Sequence, residues 1–356
     1  MKKILLLLLI LIAGVAVSFL LYTDMVMVQL PVLIQKNPKI TFVLGNASYR
    51  KSPSDQWEQA IVGQSLKTGY QVKTEKNSQM DIRFHGDMAI RVSENSTMRI
   101  DDMSVRKVML KLNSGSMYGK FEKIFKDYDI TVKTPTTVAA IRGTELGFEI
   151  SEDTEEMKKQ QEKMRQTEKK DEEPAEVEAL YSSTVYSISG ITELNNPKFG
   201  DQKVLLSYQN KITIKENEPP SNPEKMSDDE ISRMRSILNS IHTEEVLFIS
   251  DKINFEVNSA TILPNSYAEL DKIIKIIKEK NVRVRIEGHT DIQGTASFNQ
   301  TLSIKRAESI KKFLVQKGIE AEHLEIAGYG SSKPVASNAT PAGRSLNRRV
   351  EFIIIE

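Results

Sequence analysis

The first half of the chain alternates hydrophobic and polar residues in short runs, which is the pattern of half-buried strands. Glycine, asparagine, aspartate and serine interrupt these runs roughly every ten residues, where turns are expected. The pattern predicts an all-β module over residues 39–215, built either as a sandwich or as a coiled stack. The clearest strand signals lie at residues 40–43, 79–84, 88–92, 108–112, 183–188 and 203–207.

The last third of the chain, residues 243–356, mixes strand and helix periods. Strands are predicted at residues 253–255, 282–287, 324–327 and 350–355, and helices at residues 265–280 and 298–317. The first helix carries an apolar stripe at Leu270, Ile273, Ile274 and Ile277, which is the face expected to be buried. The order predicts an α/β (α+β) sandwich in which helices cover a mixed sheet.

Segments of different composition interrupt and join these two regions. Residues 152–178 are dominated by charged side chains, so we expect a solvated insertion in the β module. Residues 216–242 are interpreted as a linker and a helix, because a proline-containing polar stretch precedes a capping box at Ser227 and Glu230. We expect this helix to pack where the chain enters the C-terminal domain.

An apolar run from residue 4 to residue 22 follows Lys2 and Lys3. As a helix it would be about 28 Å long, which is enough to cross a bilayer. The lysines predict a cytoplasmic N-terminus and export of the rest of the chain. Residues 16–18 have the small side chains of a signal-peptide cleavage site, but the length of the apolar run favours an uncleaved anchor within residues 1–24.

The anchor predicts a membrane-bound protein with periplasmic domains. The inner membrane is favoured, and an outer-membrane-associated or free periplasmic location stays open. No carboxylate lies between residues 4 and 22. Because proton-conducting stator helices need an ionisable group inside the membrane, that function is not expected.

Charge and residue content exclude several classes of function. The 49 basic and 48 acidic residues nearly cancel, so no nucleic-acid surface is indicated. The absence of cysteine excludes disulfides, thiolate metal sites and a lipid-modified cysteine. The four histidines lie far apart, so we expect no metal and no cofactor. Without a recognisable nucleophile motif, a binding protein is expected rather than an enzyme.

A candidate site follows the strand predicted at residues 282–287. Asp291 stands at the end of this strand, and Arg306 lies on the next helix, on the face that also carries Asn299 and Ser303. A carboxylate and a guanidinium in one pocket complement a zwitterion, because one binds an ammonium and the other a carboxylate. In the alternative interpretation, Asp291 caps the loop and Arg306 forms a surface ion pair.

The sequence HTDIQGTASFNQTLSIKR at residues 289–306 resembles the peptidoglycan-binding signature of the OmpA-like domain family. Matching motifs are INF at residues 253–255, GYG at residues 328–330 and GRSLNRRVE at residues 343–351, so the resemblance covers residues 245–356. It implies that Asp291 and Arg306 grip the diaminopimelate side chain of the peptidoglycan stem peptide without cleaving it.

The resemblance assigns further residues around this pair. Thr290 and Asn299 are expected to line the pocket as polar groups. Asn347 and Arg348 are expected to contact the stem peptide, with the alternative that they tie the last turn to the loop after the second strand, residues 282–287. Two more residues, Arg349 and His289, are assigned structural roles, and His289 is expected to be a hydrogen-bonding residue rather than a catalytic base.

The stretch TPTTVAAIRGTEL at residues 134–146 resembles the signature of the FecR domain. Signalling members of that family pass a signal to a cytoplasmic segment, whereas only Met1 to Lys3 precede the predicted anchor here. We therefore expect the β module to contact a partner or the wall.

The leading hypothesis is a non-enzymatic envelope protein that binds diaminopimelate in peptidoglycan and tethers a membrane-anchored β module to the wall. The alternative is an envelope sensor whose FecR-like domain binds a protein partner.

Overall fold

The structure is a computed structural model that describes residues 37–84, 88–104, 107–121, 129–152, 180–200 and 202–355. The predicted membrane helix within residues 1–24 lies outside these ranges, as does the charged insertion apart from Glu152. None of the helices in the described ranges combines the length and the apolar character that crossing a membrane requires.

The first region of the described chain forms two β-sheets. The strands are β1 Lys39–Leu44, β2 Ala47–Arg50, β3 Glu58–Gln59, β4 Gln71–Thr74, β5 Gln79–Arg83, β6 Ala89–Val92, β7 Thr97–Ser104, β8 Lys107–Ser114, β9 Ser116–Lys120, β10 Asp129–Lys133, β11 Val138–Arg142, β12 Glu145–Glu152, β13 Tyr181–Ser187, β14 Ile191–Asn195, β15 Lys203–Leu206, β16 Asn210–Lys215 and β17 Glu224–Lys225. The eight-stranded sheet has the order β1-β5-β6-β9-β12-β13-β16-β17, and the nine-stranded sheet has the order β15-β14-β11-β10-β8-β7-β4-β2-β3.

One apolar core lies between these two sheets. Ile82 and Phe148 from the eight-stranded sheet pack in the same cluster as Ile100, Leu110 and Val132 from the nine-stranded sheet. The alternation of buried and less buried residues along the strands supplies both inner faces. The module is therefore the sandwich of the two predicted alternatives, and each clear strand signal lies within two residues of an observed strand.

Helix α1, Asp228–Asn239, begins with the predicted capping box, in which the side chains of Ser227 and Glu230 each accept a backbone N–H of the other residue. Its buried face, Met234 and Leu238, packs against the β module, where the outer side of the eight-stranded sheet offers Tyr118 and Tyr186. The expectation that this helix packs on the entry to the C-terminal domain is wrong, because its buried face contacts the apolar residues on the outer side of this sheet.

The C-terminal domain is a four-stranded sheet with the order β18-β21-β19-β20. Strands β19 and β20 are parallel, whereas β21 runs antiparallel to β18 and β19. The elements are β18 Val246–Ser250, α2 Tyr267–Lys280, β19 Arg283–His289, α3 Ala296–Gln316, β20 Leu324–Gly330, α4 Pro341–Asn347 and β21 Val350–Ile355.

The first strand of this domain was predicted at residues 253–255, and this prediction is wrong. The strand is β18, at Val246–Ser250, which pairs with β21. Phe255 instead forms an isolated bridge with Ile262. The sequence VLFIS of β18 does not alternate hydrophobic and polar residues, so its pattern does not predict the strand that it forms beside β21.

The two faces of the C-terminal sheet differ in chemistry. Val284, Ile286 and Phe352 pack against α2 and α3 in an apolar core. The alternate residues on the same strands include Glu287 and Glu351, which are also buried. The β module covers this second face, where Phe42 of β1 packs in one cluster with Val246, Val335 and Ile353.

His242 joins the β module to the charged face of the C-terminal sheet. Its Nδ1 lies 2.8 Å from the Asp81 carboxylate on β5, and its Nε2 lies 2.9 Å from the Glu351 carboxylate on β21. The ring also stacks on Phe42, with ring centroids 4.1 Å apart. A neutral imidazole donates one hydrogen bond, whereas an imidazolium donates to both carboxylates.

Arg91 completes this connection. Its guanidinium makes two 2.7 Å bonds to the Asp81 carboxylate and two 2.6 Å bonds to the hydroxyl and carbonyl of Ser240. Arg91 and Asp81 are almost fully buried. The segment that leaves α1 is therefore fixed to the β module immediately before the C-terminal domain begins.

Opposing effects act on the pKa of His242. Burial lowers this pKa, but the negative charges of Glu351 and Asp81 outweigh burial and raise it above its usual value. The charged form therefore contributes stability that is complete below about pH 6.5, the ordinary histidine value. This contribution is lost as the pH rises through the raised pKa of the folded state.

We predict that His242→Gln lowers the free energy of unfolding at pH 6 by about 3 kcal/mol, since it removes the positive charge that Asp81 and Glu351 share in addition to their arginine partners. It should also flatten the decline in stability between pH 6 and pH 9. Urea unfolding across this pH range measures both effects. The matched control is His323→Gln, because the His323 side chain is a third exposed. An unchanged pH slope in His242→Gln would contradict the assignment.

Candidate functional site

The end of β19 and the first turns of α3 meet at very short range. A Cβ atom on Gly288 would lie 2.3 Å from the Ser303 carbonyl oxygen, so only glycine permits this approach. Ser303 also accepts the backbone N–H of Gly330 on β20. These contacts place Asp291, which follows β19, beside the face of α3 that carries Arg306.

Two of the predicted polar liners hold the loop after β19. Asn299 is buried, and its amide donates to the carbonyls of Asp291 and Gln293 at 3.3 and 3.0 Å. Thr290 is buried as well, and its hydroxyl donates to the Asp291 carbonyl. In this structure both residues shape the loop, and their predicted contacts with a ligand stay predictions.

Arg306 reaches back to the loop before α2. Its Nε donates to the Ser259 carbonyl at 3.1 Å, and its guanidinium lies 4.8 Å from the centre of the Phe255 ring. Burial, and then the positive charge of Arg348, lower the pKa of Arg306, while Asp291 opposes them. Because arginine stays charged in proteins, the result is a partly desolvated cation that favours an anionic ligand.

Arg348 forms an ion pair with the Asp291 carboxylate. Its Nη1 lies 2.7 Å from Oδ2, and the other oxygen accepts the backbone N–H of Gln293 at 2.9 Å. The side chain of Asp291 is only 7% exposed, whereas that of Arg348 is 48% exposed. The charged site therefore consists of Asp291, Arg306 and Arg348, rather than of the predicted pair of Asp291 and Arg306 alone.

Asn347 is fully buried beside this set. Its amide oxygen accepts the backbone N–H groups of Val335 and Ala336, and its amide nitrogen donates to Ala336 and Asn338. In this structure Asn347 ties the last turn to the loop before α4, and not to the loop after β19 that the structural alternative named.

A cavity of about 140 Å³ opens between these elements. It is lined by Asp251, Ile253, Asn254, Phe255, Gly288, His289, Arg306, Ser345, Arg348, Arg349 and Val350. Two of the six predicted site residues, Arg306 and Arg348, form its cationic wall. Asp291 does not line the cavity but is paired with Arg348, which does. The other three predicted residues, Thr290, Asn299 and Asn347, are buried and hold the neighbouring loops.

The sequence pattern did not single out Phe255, Asp251 or Asn254 as site residues. Phe255 stands in the INF motif, which supported the family resemblance and the prediction of a strand at residues 253–255. An aromatic residue in a predicted strand is normally part of a core, so nothing in the pattern indicated a site residue. Its role under Arg306 depends on a fold that brings residues 255 and 306 together.

The cavity borders a group with the residue types of a metal site, namely Glu287, His289 and Glu351. Arg285 donates to Glu287 at 2.7 Å, and Arg349 donates to Glu351 at 2.6 Å, so each carboxylate already has a cation. This arrangement accounts for their charges without a metal ion. It also gives Arg349 the structural position that the sequence indicated.

His289 differs from its prediction as a hydrogen-bonding residue. Neither ring nitrogen has a hydrogen-bond partner among the residues that the structure describes, and the ring stacks on Tyr329 with ring centroids 5.5 Å apart. Burial, and then the charge of Arg349, lower the pKa of His289 well below its ordinary value. His289 is therefore a neutral packing residue at neutral pH.

We predict that Asn347→Ala lowers the free energy of unfolding by about 2–4 kcal/mol, because it leaves buried backbone groups of the loop without a partner. Urea unfolding measures the loss. The control is Asn265→Ala at an exposed asparagine before α2. Equal stability of the two variants would mean that Asn347 is free to serve a ligand.

Two family models match separate parts of the chain. The OmpA family model matches residues 254–348, and the FecR protein model matches residues 70–159. The peptidoglycan-associated lipoprotein of Pseudomonas aeruginosa is 35% identical over 113 residues, which are 32% of this chain and 67% of that protein.

Two further relatives from Pseudomonas aeruginosa share a similar length of sequence. The outer-membrane lipoprotein YfiB is 43% identical over 107 residues, covering 30% of this chain and 64% of that protein. Outer membrane porin F is 38% identical over 109 residues, covering 30% of this chain and 31% of that protein. The chain thus spans about a third of the porin and less than two thirds of YfiB.

Proposed function

The chain belongs to the OmpA family through its C-terminal domain and carries a FecR domain, and we propose that it is a cell-envelope protein that binds peptidoglycan. The ligand group is the diaminopimelate of the stem peptide, and binding involves no cleavage. One observation carries this proposal. Arg306 and Arg348 face one small cavity, and the carboxylate of Asp291 lies beside it.

The chemistry of the cavity suits the end of a diaminopimelate side chain. That end bears an ammonium and a carboxylate on one carbon, and the site offers a carboxylate and two guanidinium groups. A single partly exposed ion-paired site gives modest affinity, in the millimolar to micromolar range. Because the wall repeats the ligand, many copies of the protein in one membrane hold it firmly through avidity.

The same proposal assigns a tethering role to the whole chain. The predicted N-terminal helix anchors the protein in a membrane, with the inner membrane favoured, and places the folded region in the periplasm. The buried contacts of Arg91 and His242 support a β module held against the wall-binding domain. The wall-binding domain would then hold the β module at a fixed distance from the wall.

We predict that the full-length chain in mild detergent pellets with purified diaminopimelate-type sacculi. Arg306→Gln should weaken binding about tenfold, since it removes one charge-assisted contact with the ligand carboxylate. Asp291→Asn should also weaken binding, since it leaves the ligand ammonium beside the guanidinium groups of Arg306 and Arg348 without a carboxylate. The whole chain is used because the C-terminal domain shares buried contacts with the β module.

The matched control is Lys305→Gln, which removes one positive charge from an exposed position on the same helix. It should bind like the wild type. If the wild type stays in solution, or if all variants pellet equally, the domain has the fold of its family but does not bind diaminopimelate through this site. Melting curves of each variant separate lost binding from lost folding.

A second function, an envelope sensor, is supported by the FecR domain together with the buried contacts between the two domains. In this function the FecR-like domain binds a protein partner, and the wall-binding domain fixes its position. Cross-linking in intact envelopes, followed by identification of partners attached to the β module, tests it. Cross-links to peptidoglycan alone would favour the tether.

A further inference from the structure

The Asp291 carboxylate already holds a cation in this structure. Arg348 lies 2.7 Å from it, in a pair whose carboxylate is buried and whose guanidinium is half exposed. An arriving ammonium group therefore replaces one cation with another on the same carboxylate. Such an exchange gains little charge pairing by itself.

Arg306 has the opposite requirement. Among the described residues, no carboxylate lies within ion-pair distance of its guanidinium, and its contacts are the Ser259 carbonyl and the Phe255 ring. A ligand carboxylate in the cavity would give this cation its missing counter-charge. The same carboxylate lies within reach of Arg348 once that side chain leaves Asp291.

The other charges at the cavity do not replace this ligand group. Arg349 is paired with Glu351 at 2.6 Å. Asp251 lines the cavity but is exposed, so water screens its charge. The balance at the site thus depends on Arg306, Arg348 and Asp291.

On the basis of the proposed function, we propose that Arg348 determines which form of the diamino acid is bound. The site binds the ammonium group only of a ligand whose neighbouring carboxyl group is free. That carboxylate forms an ion pair with the Arg348 guanidinium, which the ammonium group has displaced from Asp291. A stem peptide in which this carboxyl group is an amide, or in which lysine replaces diaminopimelate, lacks the carboxylate that would pair with Arg348 and binds weakly.

The test uses three synthetic stem tetrapeptides and the full-length chain in mild detergent. The third residue is meso-diaminopimelate with a free side-chain carboxyl group, the same residue as its side-chain amide, or lysine. All other carboxylates are identical in the three peptides. Isothermal titration or peptide-observed NMR gives the dissociation constants for the wild type, Arg348→Gln and the control Lys305→Gln.

We expect the wild type and Lys305→Gln to bind the free carboxyl form at least about tenfold more tightly than the amide or the lysine form. In Arg348→Gln the ratio should be at least about threefold smaller than in the wild type, because Arg306 alone then pairs with the ligand carboxylate and Asp291 no longer has to exchange its cation. The amide form should bind this variant at least as well as it binds the wild type. The half-exposed position of Arg348 favours a folded variant, and melting curves verify this.

Each other outcome overturns the inference. If the wild type binds the free and amide forms equally while it still pellets with sacculi, the proposed function stands and Arg348 has no selective role. If Arg348→Gln keeps the full ratio, Arg306 alone reads the carboxylate. If the wild type binds neither peptide nor sacculi, the proposed function fails and the inference fails with it.

Discussion

The structure depends on how the buried charges on one face of the C-terminal sheet are paired. Glu287 and Glu351 point away from the helices, into a region where an unpaired charge costs several kcal/mol. The sheet supplies Arg285 and Arg349 as partners, and the segment after α1 supplies His242, which also binds Asp81 of the β module. Residues 37–356 therefore form one compact unit rather than two domains on a flexible linker.

The two strands that carry these paired charges, β19 and β21, also lead to the candidate site. Strand β19 carries Glu287 and leads to Asp291, while β21 carries Glu351 and follows Arg348 by two residues. A ligand that holds Asp291 and Arg348 is thus connected to the β module by two paired strands and a buried histidine. Under the proposed function, force applied by the wall would pass through these paired strands and His242.

Local sequence patterns were enough for most elements and for part of the site. The stripe on α2 and the capping box of α1 are decided within about four turns of chain, so their periodicity predicts them. The strand β18, the docking of α1 and the position of Phe255 depend on partners that are distant in sequence. Likewise, Arg348 binds Asp291 across 57 residues, and no spacing rule could show which cation neutralises that carboxylate.

Because Arg348 must leave Asp291 before a ligand ammonium can bind, each single binding event is weakened. Weak single sites suit the proposed function, in which many copies of the protein bind one peptidoglycan polymer. Arg348 lowers the gain from any ammonium group, whichever molecule carries it, since Asp291 is already neutralised. The loss of affinity at one site is recovered when several copies bind the same wall. Selectivity is not lost in this way, because the preference at each site multiplies over the sites engaged. A modest preference at one cavity, about tenfold, becomes about a hundredfold when two copies bind together.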